Sequence, residues 1–316
     1  MKKLHRGVLV IAVLLTAILS VGAVTASEAA DRVKIGFSIS ERDQFLSSLE
    51  TAIANAAKEK DVDFTAFDSQ RDVQKQIDNV NTFASQKFDA IIINLVEESN
   101  TEGVIKAAGK IPVIFVNRTP DNDYVVAGQT AYVGSNEAQA GALQAQFLTG
   151  YFKDKSPKTL KYVLFMGILG LPNTNMRTQS VKEGLEKAGF TLERIFEDTA
   201  DFERAKAMEK LQQFMGTGIG FDVVICNNDE MALGAIEALR AVGKTDIPVI
   251  GIDATTSAVD AIEKGELACS VFQNPVGQGA GALEVAYKAA KGEPFDAETW
   301  IPFELVTKEN VNNYKR

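Results

Sequence analysis

The sequence predicts an α/β protein with two domains, each built on a doubly wound parallel sheet. From Arg32 onward, short apolar runs typical of strands alternate with amphipathic stretches typical of helices. The alternation occurs twice, over 33–134 and over 160–273, and strands that alternate with helices of this length form βαβ units. The chain has 316 residues, of which 46% are hydrophobic. At roughly 150 residues per domain, this length is enough for two domains.

The first run predicts strands separated by helices at short intervals. Right-handed crossovers between parallel strands place such helices on both faces of the sheet. The apolar run DAIIINLV (89–96) is bounded by turn signals, which is typical of a strand buried on both faces. The strands are predicted at 33–39, 63–68, 89–96 and 111–117, and the helices at 44–60, 73–85 and 99–109.

The second run repeats the pattern after a helix over 135–152 and a polar loop, KDKSPKT (153–159). Each run is long enough for a sheet of five or six strands. No linker rich in proline or glycine separates the runs, which favours several chain crossings between the domains. The strands are predicted at 160–166, 191–197, 221–227, 247–253 and 267–273, and the helices at 174–188, 202–215, 230–241, 256–264 and 276–291.

The first thirty residues predict a secretory signal peptide. Lys2, Lys3 and Arg6 precede an apolar stretch over 7–24, and small residues follow at 25–30. A retained membrane anchor is the alternative, because the apolar stretch is near the length that spans a bilayer. The small residues favour cleavage after Ala26, Ala29 or Ala30. No cysteine lies near these positions, so we expect a periplasmic protein that is not a lipoprotein.

Composition argues against several functional classes. The formal net charge is −9, and an acidic chain repels nucleic acid and anionic lipid, so neither is an expected partner. The only histidine, His5, lies in the signal peptide. The mature chain therefore lacks the histidine that familiar zinc sites and Ser-His or Cys-His catalysis use. The segment GTGIG (216–220) follows a helix and precedes a strand, the wrong order for a dinucleotide-binding loop. We expect no metal, no cofactor and no enzyme activity, with acid–base catalysis by Asp43 and Asp253 as the alternative.

Candidate ligand-binding residues follow the predicted strands. In open α/β sheets, ligands bind beyond the carboxyl ends of the strands. Those positions carry planar hydrogen-bonding groups and aromatic rings, which suit the hydroxyl groups and the apolar face of a sugar. The candidates are Asp43, Phe45, Asn94, Arg118, Asn173, Arg177, Phe202, Asn228, Asp253 and Gln273.

Each candidate also has a structural interpretation. Asp43 could cap a helix N-terminus, and so could Asp229, which follows a later strand. The two phenylalanines could belong to the core, the two arginines to surface ion pairs, and Asp253 to an exposed turn. Their common location after strands favours the ligand-binding interpretation.

Five segments carry a family resemblance. FDSQRDVQKQIDNVN (67–81) and IIINLVEES (91–99) resemble glucose/galactose-binding proteins. ADFERAKAMEKLQ (200–212), NDEMALGAIEAL (228–239) and GIDATTSAVDAIEKGELA (251–268) resemble ribose-binding proteins. Residues 32–316 thus resemble the type I periplasmic sugar-binding family.

The resemblance implies two lobes that are joined by a three-segment hinge and close over a sugar. It places the crossings near Ser135, Gln273 and Pro302. The lobes are then 31–135 plus 274–302 and 136–273 plus 303–316. The implied protein is a monomer that delivers its ligand to an ABC permease. A sensor that reports ligand state to a histidine kinase or a chemoreceptor is the alternative.

The glucose/galactose branch implies roles for three residues. Asp43 resembles the aspartate that binds sugar hydroxyls, Phe45 the stacking aromatic, and Asn94 the asparagine of that branch. Where that branch has histidine and aspartate, this chain has Leu171 and Asn173. The loop over 153–159 also lacks the carboxylates of that branch's calcium site.

The ribose branch implies roles for most of the remaining candidate residues. Arg118 and Phe202 match its arginine after the fourth strand and its second aromatic, and Arg177 matches an arginine of both branches. Asn117 stands where ribose binders have an acid. A hexose, a pentose or a polyol would therefore fit the site. Asn228, Asp253 and Gln273 match the asparagine, aspartate and glutamine that complete the family's pocket.

The expected strand order separates the two cysteines. In the order 2-1-3-4-5 of flavodoxin-like sheets, Cys226 and Cys269 lie on the third and fifth strands of the second sheet. At ~4.8 Å per strand they are roughly 9–10 Å apart, which is too far for a disulfide. We therefore predict two buried free thiols.

Overall fold

The structure is a computed structural model of the chain. It describes residues 32–153 and 158–315. The signal peptide predicted over 1–30 and residues 154–157 of the polar loop lie outside the described residues. Within the described part, no helix is long and apolar enough to cross a membrane.

Strands and helices alternate through the described residues, as the sequence predicts. The strands are β1 (Lys34–Ile39), β2 (Asp63–Asp68), β3 (Ala90–Ile93), β4 (Val113–Val116), β5 (Thr130–Gly134), β6 (Thr159–Met166), β7 (Thr191–Thr199), β8 (Val223–Cys226), β9 (Val249–Ile250), β10 (Ser270–Phe272), β11 (Glu298–Trp300) and β12 (Glu304–Val306). The helices are α1 (Gln44–Glu59), α2 (Val73–Ser85), α3 (Thr101–Ala108), α4 (Glu137–Phe152), α5 (Pro172–Lys187), α6 (Arg204–Met215), α7 (Asp229–Ala241), α8 (Thr256–Lys264) and α9 (Pro275–Lys291).

The strands form two main sheets. The first has the order β11-β5-β4-β3-β1-β2, and all its pairs are parallel. The second has the order β7-β6-β8-β9 and is also parallel. Parallel hydrogen bonds extend it to β10, as in the 2.7 Å bond from Asp253 N to Val271 O. The order 2-1-3-4-5 predicted for this sheet is therefore confirmed.

The chain passes between the two sheets three times. It leaves β5 of the first sheet for α4 and β6, and it leaves β10 of the second sheet for α9, which packs on α1 and on β3 to β5. It returns from β11, paired with β5, to β12, which pairs with β10 in the antiparallel sense. The crossings lie at 135–136, 273–274 and 301–303, so the fold is that of two sheets joined by a three-segment hinge.

Side-chain caps fix where most helices begin. A capping side chain accepts a hydrogen bond from a backbone N–H group that has no partner in the first helical turn. Asp43 does so for α1, with its Oδ1 2.7 Å from Leu46 N. The predicted cap at Asp229 is wrong: Asn228 has the extended backbone and accepts from Met231 N, so it caps α7. Asp229 lies one position further on, buried, and accepts from Ser270 Oγ at 2.6 Å.

Both faces of each sheet are buried, as the apolar strand runs predict. The four residues of β3 are fully buried. They divide between two clusters, with Ala90 and Ile92 on one face of the sheet and Ile91 and Ile93 on the other. Burial of each isoleucine is worth roughly 1.5–3 kcal/mol relative to exposure. The rigid sheets therefore present their carboxyl ends in fixed positions.

The cysteine prediction is also confirmed. Cys226 ends β8 and Cys269 precedes β10, and both are buried free thiols. Burial raises the pKa of both thiols well above the usual value. Both therefore belong to the core of the second sheet as small apolar groups.

The helices α4 and α5 pack closely because glycine lies between them. A Cβ on Gly141 would lie 2.0 Å from Ser180 Oγ and 2.7 Å from the carbonyl oxygen of Arg177. A Cβ on Gly184 would lie 2.5 Å from that of Ala145. This close approach holds α5, which begins at the carboxyl end of the sheet, against α4.

We expect Gly141→Ala to lower the free energy of unfolding by about 1–3 kcal/mol, because the added methyl group overpacks the α4–α5 contact. Urea denaturation of the mature protein measures the change. Gly150→Ala is the matched control on the same helix, since nothing lies within 4 Å of its Cβ position. We expect it to stabilise by about 0.5–1 kcal/mol. Equal effects of the two substitutions would contradict the close contact.

Candidate functional site

A cavity lies where the carboxyl ends of the two sheets face each other. About 330 Å³ of space lies between these ends, part of it open to solvent. Nine of the ten candidate residues line it, and Leu46 and Asn117 complete the lining. Asn94 does not. The nine are Asp43, Phe45, Arg118, Asn173, Arg177, Phe202, Asn228, Asp253 and Gln273.

The first-sheet side of the cavity is formed by the start of α1 and the turn after β4. Asp43 caps α1 and also lines the cavity, so its structural role and its position in the site coexist. Burial raises the pKa of Asp43, and the backbone hydrogen bond from Leu46 opposes that change. Phe45 likewise packs in the core of the first sheet and lines the cavity.

Arg118 is held in one orientation by buried acceptors. Its Nη1 donates to Leu95 O at 2.9 Å, and its Nη2 lies 2.9 Å from Glu41 Oε1. The residue is 4% exposed, so the interpretation as a surface ion pair is wrong. Because this guanidinium is already held in one orientation, its remaining N–H groups can donate to a ligand with little further loss of conformational entropy.

Asn94 lies directly behind this wall. It is fully buried. Its Oδ1 accepts from Ser40 Oγ at 2.6 Å, and its Nδ2 donates to Val116 O and to Asn117 Oδ1. Asn94 therefore positions Asn117, one of the two lining residues outside the predicted set. The left-handed backbone of Asn117 (φ 66°), which asparagine tolerates, turns its side chain to the cavity.

On the second-sheet side, Arg177 makes the densest set of contacts. Its Nε donates to Glu137 Oε2 at 2.6 Å, its Nη1 to Asn227 O at 2.9 Å, and its Nη2 to Gln273 Oε1 at 3.3 Å. Its Cζ lies 5.9 Å from the centre of the Phe303 ring. Arg177 is 2% exposed, so it too is no surface ion pair.

Asp253 provides a carboxylate with few protein partners. It is 6% exposed, so the exposed-turn interpretation is wrong. Within the described residues, its closest basic group is Arg177, with Nη1 4.0 Å from Oδ1. Burial raises the pKa of Asp253 well above its usual value; Arg177 opposes this, and the charges of Asp229, Asp43 and Glu137 add to it. A ligand hydroxyl could donate to this carboxylate.

Two buried amide atoms in the lining lack partners in the described part of the chain. They are Asn173 Oδ1, an acceptor, and Gln273 Nε2, a donor. Buried polar atoms are nearly always hydrogen-bonded, because an unpaired one costs about 1–3 kcal/mol. A ligand that both donates and accepts would satisfy both atoms.

Phe202 covers the cavity from the turn between β7 and α6. Its backbone is left-handed (φ 64°), and Asn228 Nδ2 donates to its carbonyl oxygen at 3.2 Å. The ring packs against Gly167, where a Cβ would lie 2.0 Å from its Cζ. Gly167 is thus a position where any larger residue would displace the aromatic ring from the cavity.

The side chains that line the cavity offer hydrogen bonding and aromatic contacts. Within the residues that the structure describes, no group of three or more histidine, cysteine, aspartate or glutamate side chains could hold a metal ion. The lining combines carboxylate acceptors, guanidinium donors, amides that do both, and two aromatic rings. This set fits a small ligand with several hydroxyl groups.

Comparison with known proteins gives one consistent result. A family described as a periplasmic binding protein domain matches residues 35–294. The putative rhizopine-binding protein of Rhizobium meliloti is 38% identical over 93% of this chain and 96% of its own length. The D-galactose/methyl-galactoside binding periplasmic protein of Haemophilus influenzae is 32% identical over 94% and 96%.

A solved structure agrees with these relatives. It is an ABC transporter solute binding protein from Bacillus halodurans with bound myo-inositol, 39% identical, with a TM-score of 0.83 over 90% of this chain and 97% of that one. These relatives are binding proteins rather than enzymes. The chain therefore belongs to the type I periplasmic binding protein family, among the sugar-binding proteins of ABC transporters.

Proposed function

We propose that this protein captures one sugar or polyol between two closing lobes and delivers it to the permease of an ABC importer. One observation carries the proposal: each side of the cavity contributes an aspartate, an arginine and a phenylalanine. The first side provides Asp43, Arg118 and Phe45, and the second provides Asp253, Arg177 and Phe202. Aromatic faces and alternating donors and acceptors on both sides suit a compact ring with hydroxyl groups all round.

The charges of the site favour hydroxyl groups over anionic groups. Each arginine already has its own carboxylate, Glu41 for Arg118 and Glu137 for Arg177. The carboxylates of Asp43 and Asp253 remain as acceptors, which would repel an anionic ligand. Hexoses, pentoses and polyols meet this requirement. The similar solved structure with bound myo-inositol supports a cyclic polyol as the first ligand to test.

Lobe closure is the mechanism that we propose for capture. The first lobe comprises 31–135 and 274–302, and the second comprises 136–273 and 303–316. Closure removes water from the ligand, and a lower local dielectric strengthens each hydrogen bond to a charged side chain. The closed lobes present a new surface that a permease can recognise. The protein acts in the periplasm as a monomer after removal of the signal peptide over 1–30.

The first test is a thermal-shift and calorimetric screen of the mature protein with myo-inositol, D-ribose, D-galactose and linear polyols. A ligand of the native state stabilises it by about 4 kcal/mol at roughly 1,000 times Kd. We therefore expect a shift of several degrees with one or two of these compounds. The absence of a shift with every carbohydrate and polyol would overturn the proposed ligand class.

We expect Asp253→Asn to weaken binding of the identified ligand at least about thirtyfold, because loss of a buried charged hydrogen-bonding partner costs about 2 kcal/mol or more. Isothermal titration calorimetry measures the change. Asp260→Asn is the matched control, since Asp260 lies exposed on α8 of the same lobe and should bind as the wild type does. Equal affinities of the two variants would remove Asp253 from the site.

We also expect affinity to fall as the pH is lowered through the raised pKa of the Asp253 carboxyl. Burial raises the pKa of Asp253 in the ligand-free protein, whereas hydroxyl donors favour its ionised form. Binding should then release a proton wherever the free carboxyl is protonated. Calorimetry in two buffers of different ionisation enthalpy measures that release. An affinity that rises toward acid pH would instead indicate that the protonated carboxyl binds.

A further inference from the structure

Arg71 occupies an unusual turn at the rim of the cavity, outside its lining. The turn follows β2, and both Gln70 (φ 53°) and Arg71 (φ 60°) have left-handed backbones. The amide of Arg71 donates to Ser40 O at 2.8 Å, which anchors the turn beside the start of α1. The side chain is about one-third exposed (36%). Such a backbone is uncommon for residues other than glycine and indicates a position fixed by its surroundings.

One guanidinium at this position joins the two sides of the molecule. Arg71 Nε pairs with Glu41, which precedes α1 on the first-sheet side. Its Nη1 lies 3.3 Å from Glu203 Oε1, and its Nη2 donates to Asp201 O at 3.3 Å. Asp201 and Glu203 lie between β7 and α6 on the second-sheet side. The side chain therefore spans the opening of the cleft.

Both groups of Arg71 partners adjoin residues that line the cavity. Asp201 and Glu203 are the two neighbours of Phe202, so Arg71 holds the turn that carries this ring. Glu41 is shared with Arg118, with Oε1 2.9 Å from its Nη2. Arg71 thus connects the turn that carries Phe202 on the second-sheet side with Arg118 on the first-sheet side. Arg71 itself does not line the cavity.

Neutralisation of these acids does not require Arg71. Lys206, on the second-sheet side, lies 3.0 Å from Glu203 Oε1 and 2.8 Å from Asp201 Oδ2. Arg118 already pairs with Glu41 on the first-sheet side. Arg71 therefore contributes what Lys206 and Arg118 do not, which is a contact between the two sides. This contact exists only when the two sides are close together.

We propose that Arg71 is an interlobe clasp that stabilises the closed form and positions Phe202, and so sets how long the ligand stays bound. The proposal rests on the proposed function, because it requires lobes that close over a ligand. Because the clasp forms only on closure, its loss speeds ligand dissociation and also shifts the ligand-free protein toward the open form.

The test is the kinetics of myo-inositol binding to wild-type protein and Arg71→Ala. The only tryptophan of the chain, Trp300, adjoins the third crossing and provides a stopped-flow fluorescence signal. We expect dissociation to be roughly fivefold faster in Arg71→Ala, as for loss of about 1 kcal/mol from a partly exposed ion pair.

Arg204→Ala is the matched control. Arg204 is equally exposed (36%), but its partners Glu230 and Glu237 lie on α7 of the same side. We expect wild-type dissociation from this variant. Raising the salt concentration from about 0.05 to about 0.5 M should speed dissociation from the wild type more than from Arg71→Ala, because salt screens the clasp. Equal dissociation rates for the two variants would overturn the proposal.

Failure of the proposed function gives a different result. If the wild type binds none of the polyols or sugars, the ligand class is wrong, and small-angle X-ray scattering then tests the clasp without ligand. A larger radius of gyration for Arg71→Ala than for the wild type and Arg204→Ala would support the clasp. Identical scattering of all three proteins would overturn it.

Discussion

The buried guanidinium of Arg177 organises the second half of the site and the hinge together. Three of its neighbours lie beside the three crossings: Glu137 after the first, Gln273 at the second and Phe303 at the third. An isolated buried charge is very costly, so this group must keep its partners. Because the same side chain also faces the cavity, the position of the hinge segments and the position of a bound ligand depend on one charge.

The lining around that charge is incomplete without a ligand. Asn173 and Gln273 each hold a buried polar atom without a partner in the described residues, and Asp253 has only a distant basic neighbour. Burial that raises the pKa of a carboxyl reflects the same shortage of donors. Hydroxyl groups would supply these contacts. A ligand that carries several of them would therefore recover the free energy cost of burying unpaired polar atoms.

The sequence predicts the parallel sheets, the free thiols and most of the lining, because residues that follow parallel strands must meet at one edge. It does not distinguish Asn94, which supports the wall, from Asn117, which forms it, since both follow strands and only the backbone conformation separates them. The strands β5, β11 and β12 were not predicted individually; the last two have three residues each, too few to show a period. Arg71 carries no local signal at all, because its partners lie 30 and 132 positions away in the chain.

The third crossing has a consequence for how the chain can be divided. β11 completes the edge of the first sheet beside β5, and β12, a few residues later, pairs with β10 of the second. No single cut therefore yields two self-sufficient halves. A fragment that ended after α9 would expose unpaired backbone on both sheets at once, and open strand edges are templates for aggregation. The strands β11 and β12 each complete a different sheet. Any fragment or circular permutant of the protein must therefore retain both strands.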